Sequence, residues 1–309
     1  MVVRTNVVTD GTARKDFIDG VLALKAECHA TGHDRLTGLS TYDAFVLWHY
    51  ELMMTAPAGQ RNLAHGGPSF LPWHRYMLLV LEAHLQRILG KPQFGIPYWN
   101  WAADGDLSKA QQPTSALWND VDGIGGSGSP IATGPFVEGQ FGVVIAANGS
   151  GTLEVQAPPR GLARNFGGRV AALPPSADLR AVMQTPVYDA APWDRTVTSF
   201  RNHLEGWRPA FPGLHNDVHG WVGLDMARAT SPNDPVFFLH HANVDRIWAA
   251  WQQKHPGAPY LPGPGEPGMA GHRLDDNLVT MCGEPMTVAD LLEVSMLYRY
   301  DTLDDILNA

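Results

Sequence analysis

Thirteen histidines occur in the 309 residues, and most of them gather in two stretches. The first group is His49, His65 and His74, the last inside Phe70-Leu71-Pro72-Trp73-His74-Arg75. The second is His215 and His219, within Leu214-His215-Asn216-Asp217-Val218-His219, then the tandem His240-His241 closing Asp234-Pro235-Val236-Phe237-Phe238-Leu239-His240-His241. Three imidazoles facing three imidazoles, with no cysteine nearby, make a donor set suited to copper. Burying so many imidazoles in Trp- and Phe-rich segments without compensation would be costly.

On a helix His215 and His219 share one face a turn apart, which offers a single ion two imidazoles. His241 would complete a trio from the next long helix. Asp245, four residues on, is placed to accept the spare N–H of a ligand imidazole and fix its tautomer. The front trio is spaced sixteen and then nine residues apart, so His65 is expected from a loop and His49 and His74 from helices. His29, His33, His84, His203, His255 and His272 are read as structural or surface residues. Zinc is the rival metal, but catalytic zinc usually keeps three protein ligands and a water, often with a carboxylate as ligand or base. Neither trio has Asp or Glu at ligand spacing, and there is no His-Glu-x-x-His. Two all-histidine trios better suit two coppers that cycle between Cu(I) and Cu(II) and react with O2.

The elements that must carry these residues are mainly helical. An apolar stripe of Phe17, Ile18, Val21, Leu22 and Leu24 predicts a helix over 12–28 with Asp10 or Thr12 as its cap. A second helix is expected from Thr41 and carries His49. A third begins near Pro72 after a polar loop over 56–67, and stops at Gly90. From 120 to 175 the composition turns to Gly, Ser and Pro. There Phe141 to Ala146 and Thr152 to Gln156 flank Asn148-Gly149-Ser150-Gly151 and read as a β-hairpin. Helix resumes at Leu214 to Val222 and at His240 to Lys254, and a last helix is expected near Thr287. The histidine clusters must meet if they form one site, so 1–309 is read as a single domain: a helical bundle core holding a dicopper site, with long loops and a small hairpin excursion.

Bulk properties narrow the partners. A formal charge of −9 argues against nucleic acid or an anionic membrane surface, and no stretch reaches the ~18 apolar residues of a membrane span. The first residues lack an apolar signal core, so a soluble chain, cytoplasmic when made, is expected. Cys28 and Cys282 imply no disulfide framework and are read as free thiols.

The two histidine-bearing motifs resemble the copper signatures of the tyrosinase family. The likeness extends over nearly the whole chain, through Pro97-Tyr98-Trp99-Asn100-Trp101, Ala191-Pro192-Trp193 and Phe200-Arg201-Asn202-His203-Leu204-Glu205-Gly206-Trp207, and is closest to short bacterial members. It implies a type-3 dicopper site with His49, His65 and His74 on one ion and His215, His219 and His241 on the other. Adjacent helical residues point about 100° apart, so one of the tandem pair ligates; the family pattern selects His241 and sets His240 at the pocket edge. It further implies that Glu205 and Asn216 hold a water that helps deprotonate incoming phenols, whose pKa lies near ~10. The bland alternative is that Glu205 anchors its helix and Asn216 caps a turn.

Departures from the family sharpen the expectation. Leu63 stands where fungal and plant relatives place the cysteine of a thioether. Ser231 lies where some plant relatives set a bulky residue, so access is expected to be open. Gly220 follows His219 where others carry a larger or charged side chain, so nothing there is expected to clamp a carboxylate. The loop at Ala64-His65-Gly66-Gly67-Pro68 and the enlarged 136–175 segment resemble the ortho-aminophenol oxidase branch. The implied activity is oxidation of ortho-aminophenols and catechols by O2, with ortho-hydroxylation of monophenols. The alternatives are a tyrosinase acting on tyrosine in melanin formation, or a haemocyanin-like O2 carrier. A small copper-delivery (caddie) partner, sometimes also an export partner, belongs to the same expectation.

Overall fold

The computed structural model describes residues 1–28, 39–54, 61–207, 213–293 and 295–308. Its core is helical. Helix α1 (Gly11–Ala26) starts where Asp10 accepts a hydrogen bond from the Ala13 N–H, as its N-cap role requires. Helix α2 (Thr41–Met54) follows, and α3 (Phe70–Leu89) ends at Gly90, whose φ of 63° is the left-handed conformation that closes a helix. A short α4 (Trp101–Gly105) precedes the irregular middle of the chain. There β2 (Val143–Ala147) and β3 (Leu153–Arg160) pair antiparallel as the expected hairpin.

The back half supplies α5 (Ser176–Met183), α6 (Phe200–Glu205), α7 (Leu214–Val222) and α8 (Val236–Lys254). Helix α3 packs on α8 and on α1, which in turn meets α2. Trp73, Trp248 and Trp251 are buried among these helices with Phe45, Phe70 and Phe238. The expected helix near Thr287 is not formed. Thr287 and Asp290 do exchange cap-like hydrogen bonds, but only a 3-10 turn at Ala289–Leu291 follows. The chain then leaves to form β4 (Tyr298–Tyr300), which pairs parallel with β1 (Val2–Arg4), and closes with α9 (Asp304–Leu307).

The Gly-rich middle is bolted to the core by charge. Arg164 makes a two-pronged ion pair with Asp234 (2.7 and 2.8 Å), both fully buried, while Asp234 also accepts from the Val236 N–H at the start of α8. Arg160 pairs with Asp225 just beyond α7. Cys28 and Cys282 are free and exposed. No helix among the described residues is long and apolar enough to cross a membrane. His29, His33 and most of the 56–67 loop's first half lie outside the described residues.

Candidate metal centre

Helix α2 supplies His49, the loop after it His65, and the first turns of α3 His74, as their spacing predicts. One nitrogen of each lies within 4.8 Å of the others. The same limit holds for His215 and His219 on α7 with His240 and His241 on α8. Within that second group the tightest contacts are between Nε2 atoms: His215 lies 3.1 Å from His219 and 3.3 Å from His241. The two clusters face each other, and the rings of Phe70 and Phe237 pack against both.

The far side of these rings decides what they offer. Nδ1 of His49 donates to the Ala229 carbonyl (2.8 Å), His74 to Phe70 (2.8 Å) and His219 to Met226 (2.6 Å). Nδ1 of His215 faces two acceptors, Asn216 Oδ1 at 3.0 Å and the Glu205 carbonyl at 3.3 Å. Oxygens of this kind only accept, so the proton sits on Nδ1 and Nε2 presents a lone pair. Nε2 of His49 and of His74 is buried without a hydrogen-bond partner among the described residues. Burial pushes His49 down to about 3 and His219 to about 4, and holds His65, His74, His215 and His241 well below the usual imidazole range. Neutral imidazoles, with His49, His74, His215 and His219 oriented through Nδ1 so that Nε2 offers its lone pair, are what a soft-to-borderline metal ion needs. The donor set therefore fits copper.

The His65 loop is held without a thioether. Asn62 Oδ1 accepts from the N–H groups of Ala64 and His65, while its Nδ2 donates to the end of α2 at Leu52 and Met53. Gly66, at φ 66°, donates its N–H to Glu205 Oε1 at 2.6 Å. Glu205 is fully buried and its other oxygen accepts from Arg201 at 3.2 Å. Burial raises its carboxyl above the ordinary range against the opposing pull of Arg201. Asn216 lies on the pocket wall, with Nδ2 donating to the Gly206 carbonyl.

Three expectations are corrected. Asp245 does not orient a ligand: its carboxylate is taken by Arg75, Arg4, Tyr298 and Tyr300. His240 is not at the pocket edge. It is fully buried, packed on the His215 ring (25° between planes) and near Trp101. The wall beside Gly220 is not bare either, because Arg169 and Arg228 line the same pocket as His49, His65, His215 and His219. That pocket has a volume of about 320 Å³ and includes Ser231, as expected, with Met53, Trp207 and Met226. The carbonyls of Ala229 and Met226 were invisible to motif reading because a backbone acceptor has no residue signature. The two arginines stand outside the copper motifs, so those motifs carry no signal of them.

The family model described as the common central domain of tyrosinase matches residues 39–254, which contain every histidine of both clusters. The chain belongs to the tyrosinase family. This tyrosinase-family protein is 38% identical over 305 residues to a tyrosinase of Streptomyces glaucescens, covering 98% of this chain and 100% of that one. It is 34% identical over 339 residues to grixazone synthase of Streptomyces griseus, covering 97% and 99%. Among solved structures, a polyphenol oxidase from Thermothelomyces thermophila superposes with a TM-score of 0.74 at 21% identity, over 98% of this chain and 89% of that one, which shows the shared helical fold. A tyrosinase-family chain with this donor set is a type-3 copper phenol oxidase using O2.

Proposed function

We propose that His49, His65 and His74 hold one copper ion and His215, His219 and His241 the other, and that the preferred substrates are catechols and ortho-aminophenols. The carrying observation is that the two buried histidine clusters face each other and that His49 and His65 of one and His215 and His219 of the other line a single pocket of about 320 Å³. When bound, the coppers supply the redox chemistry that couples substrate oxidation to reduction of O2. Two catechols give two ortho-quinones, or two ortho-aminophenols two quinone imines, as one O2 becomes two waters. Phe70 and Phe237 pack against both clusters, and Ser231 leaves the approach for a single aromatic ring open.

Glu205 has two tasks in this reading. Its side chain fixes the His65 loop through Gly66, and its carbonyl orients His215. With Asn216 it would also hold a water that takes the phenolic proton, so monophenols are hydroxylated as a secondary activity. A small copper-delivery partner is proposed on the family resemblance alone. The open pocket disfavours an O2 carrier, in which access to the centre would be shielded.

A substrate panel on copper-loaded protein, with metal content measured on the same sample, tests the reading. Rapid oxidation of catechol and 2-aminophenol with slower turnover of L-tyrosine is expected. Rapid turnover of tyrosine with poor turnover of aminophenols would replace the substrate preference, and no oxidation of any catechol at full copper loading would overturn the enzyme itself.

A further inference from the structure

The pocket wall beside α7 is built by residues 165–170, which belong to neither histidine cluster. This segment is tied to the end of α7 by backbone bonds: Asn165 N–H to Val222 (2.9 Å), Gly167 to Trp221 (2.8 Å) and Val170 to Gly220 (3.3 Å). The Phe166 ring stacks on Trp221, 4.7 Å apart and 9° from parallel. Gly220 makes the approach possible. A Cβ on it would lie 2.5 Å from Val170 Cγ2 and 3.8 Å from Arg169 Cγ, so Val170 fills the place a side chain would take and the Arg169 stem lies in van der Waals contact beside it. The backbone that carries Arg169 is therefore fixed at the pocket rim.

Arg228 lines the same pocket from the link between α7 and α8, with Nη1 donating to the Ala147 carbonyl at 3.2 Å. Both arginines are exposed, and both also border an outer depression of about 370 Å³ with Asn165, Gly168, Leu224 and Ala227. Among the described residues neither guanidinium forms an ion pair, although the chain carries a net charge of −9 and pairs Arg4, Arg75, Arg160, Arg164, Arg201 and Arg246 with carboxylates. The acid on the pocket wall, Asp217, accepts from the Gly213 N–H instead.

We propose that Arg169 and Arg228 form an anion subsite at the rim of the dicopper pocket that selects phenolic substrates bearing a carboxylate on a short tail. The ring enters toward the histidines and the tail points outward between the two guanidinium groups. This rests on the reading of the pocket as a phenol-oxidase site. Guanidinium groups bind carboxylates through charge-assisted, often two-pronged hydrogen bonds, and at an exposed rim the attraction weakens with salt. The arginines act on substrate affinity and orientation rather than on the redox step.

The test compares 3-(3,4-dihydroxyphenyl)propanoate with its primary amide, with 4-methylcatechol as the uncharged reference, on copper-loaded wild type, Arg169→Gln, Arg228→Gln and the double variant. The wild type should show a KM for the acid roughly tenfold below that for the amide at similar kcat, a gap that narrows as salt is raised. Each single variant should shrink the gap and the double variant abolish it, with kinetics on 4-methylcatechol unchanged. Equal KM for acid and amide in wild type, or a preference that survives in the double variant, overturns the subsite. Calorimetric titration with 3-phenylpropanoate, which has no hydroxyl to oxidise, should show binding to wild type and its loss in the double variant. If 4-methylcatechol is not oxidised the enzyme reading fails, and the titration alone then decides the subsite.

Discussion

The imidazoles of His74 and His241, one from each cluster, lie parallel to within 10° with their centroids 4.2 Å apart. Helices α3 and α8, which carry them, pack directly on each other. The spacing of the two proposed metal positions is therefore set by the central helix contact of the fold and not by loops.

The tandem histidines separate by this geometry. His241 Nε2 lies 3.3 Å from His215 Nε2 and its ring stacks on His74 of the other cluster, whereas the His240 ring stacks on the face of His215 and lies near Trp101. His241→Ala should lose one copper per chain and all oxidase activity, and His240→Ala should keep both coppers at some cost in stability. Equal copper loss in the two, measured by metal analysis, contradicts the assignment.

Glu205→Gln keeps an acceptor for the Gly66 N–H but removes the charge that would draw a proton from a phenol. Monophenol hydroxylation should fall by roughly tenfold or more while catechol oxidation and copper content hold. A uniform fall in both activities would leave Glu205 with its anchoring role alone.

Acid should weaken the metal-free protein. Folded His49, pushed down to about 3 by burial, stays neutral where an unfolded histidine titrates near ~6.5. The unfolded state thus binds more protons between those values, so stability rises with pH across that window and falls on acidification. Each histidine of this kind contributes about 1.4 kcal/mol per pH unit below ~6.5. Urea midpoints of metal-free protein should drop steadily from pH 7 to pH 5; a flat profile would contradict neutral burial of the clusters.

Asp245→Asn should act on the fold and not on the metal. Its carboxylate is the shared acceptor of Arg4, Arg75, Tyr298 and Tyr300, joining α8 and α3 to the β1–β4 pair. Breaking a buried charge network costs about 3 kcal/mol or more. A lowered Tm with unchanged copper content is expected, and copper loss at an unchanged Tm would restore the ligand-orienting role.

The histidine-bearing helices were legible because apolar periodicity and glycine or proline punctuation are local signals. Only their starts moved: α3 begins two residues before Pro72, and α8 begins at Val236, directly after Pro235. What stayed hidden was non-local. The parallel pairing of Val2 with Tyr298 draws the chain away after Ala289–Leu291, although Thr287 and Asp290 look like a helix start. Asp245 sits four residues from His241, yet the alternative partners that claim it come from residues 4, 75, 298 and 300. Gly220 offers no carboxylate clamp by sequence because the segment that covers it, with Arg169, arrives from about 50 positions upstream.

The most direct test of the dicopper account is metal content measured together with O2 uptake on one reconstituted sample. Two coppers per chain and O2 consumption on adding catechol, at one O2 per two catechols, is the predicted result. A single metal ion per chain, zinc retained in preference to copper, or two coppers with no catechol-dependent O2 uptake would contradict it.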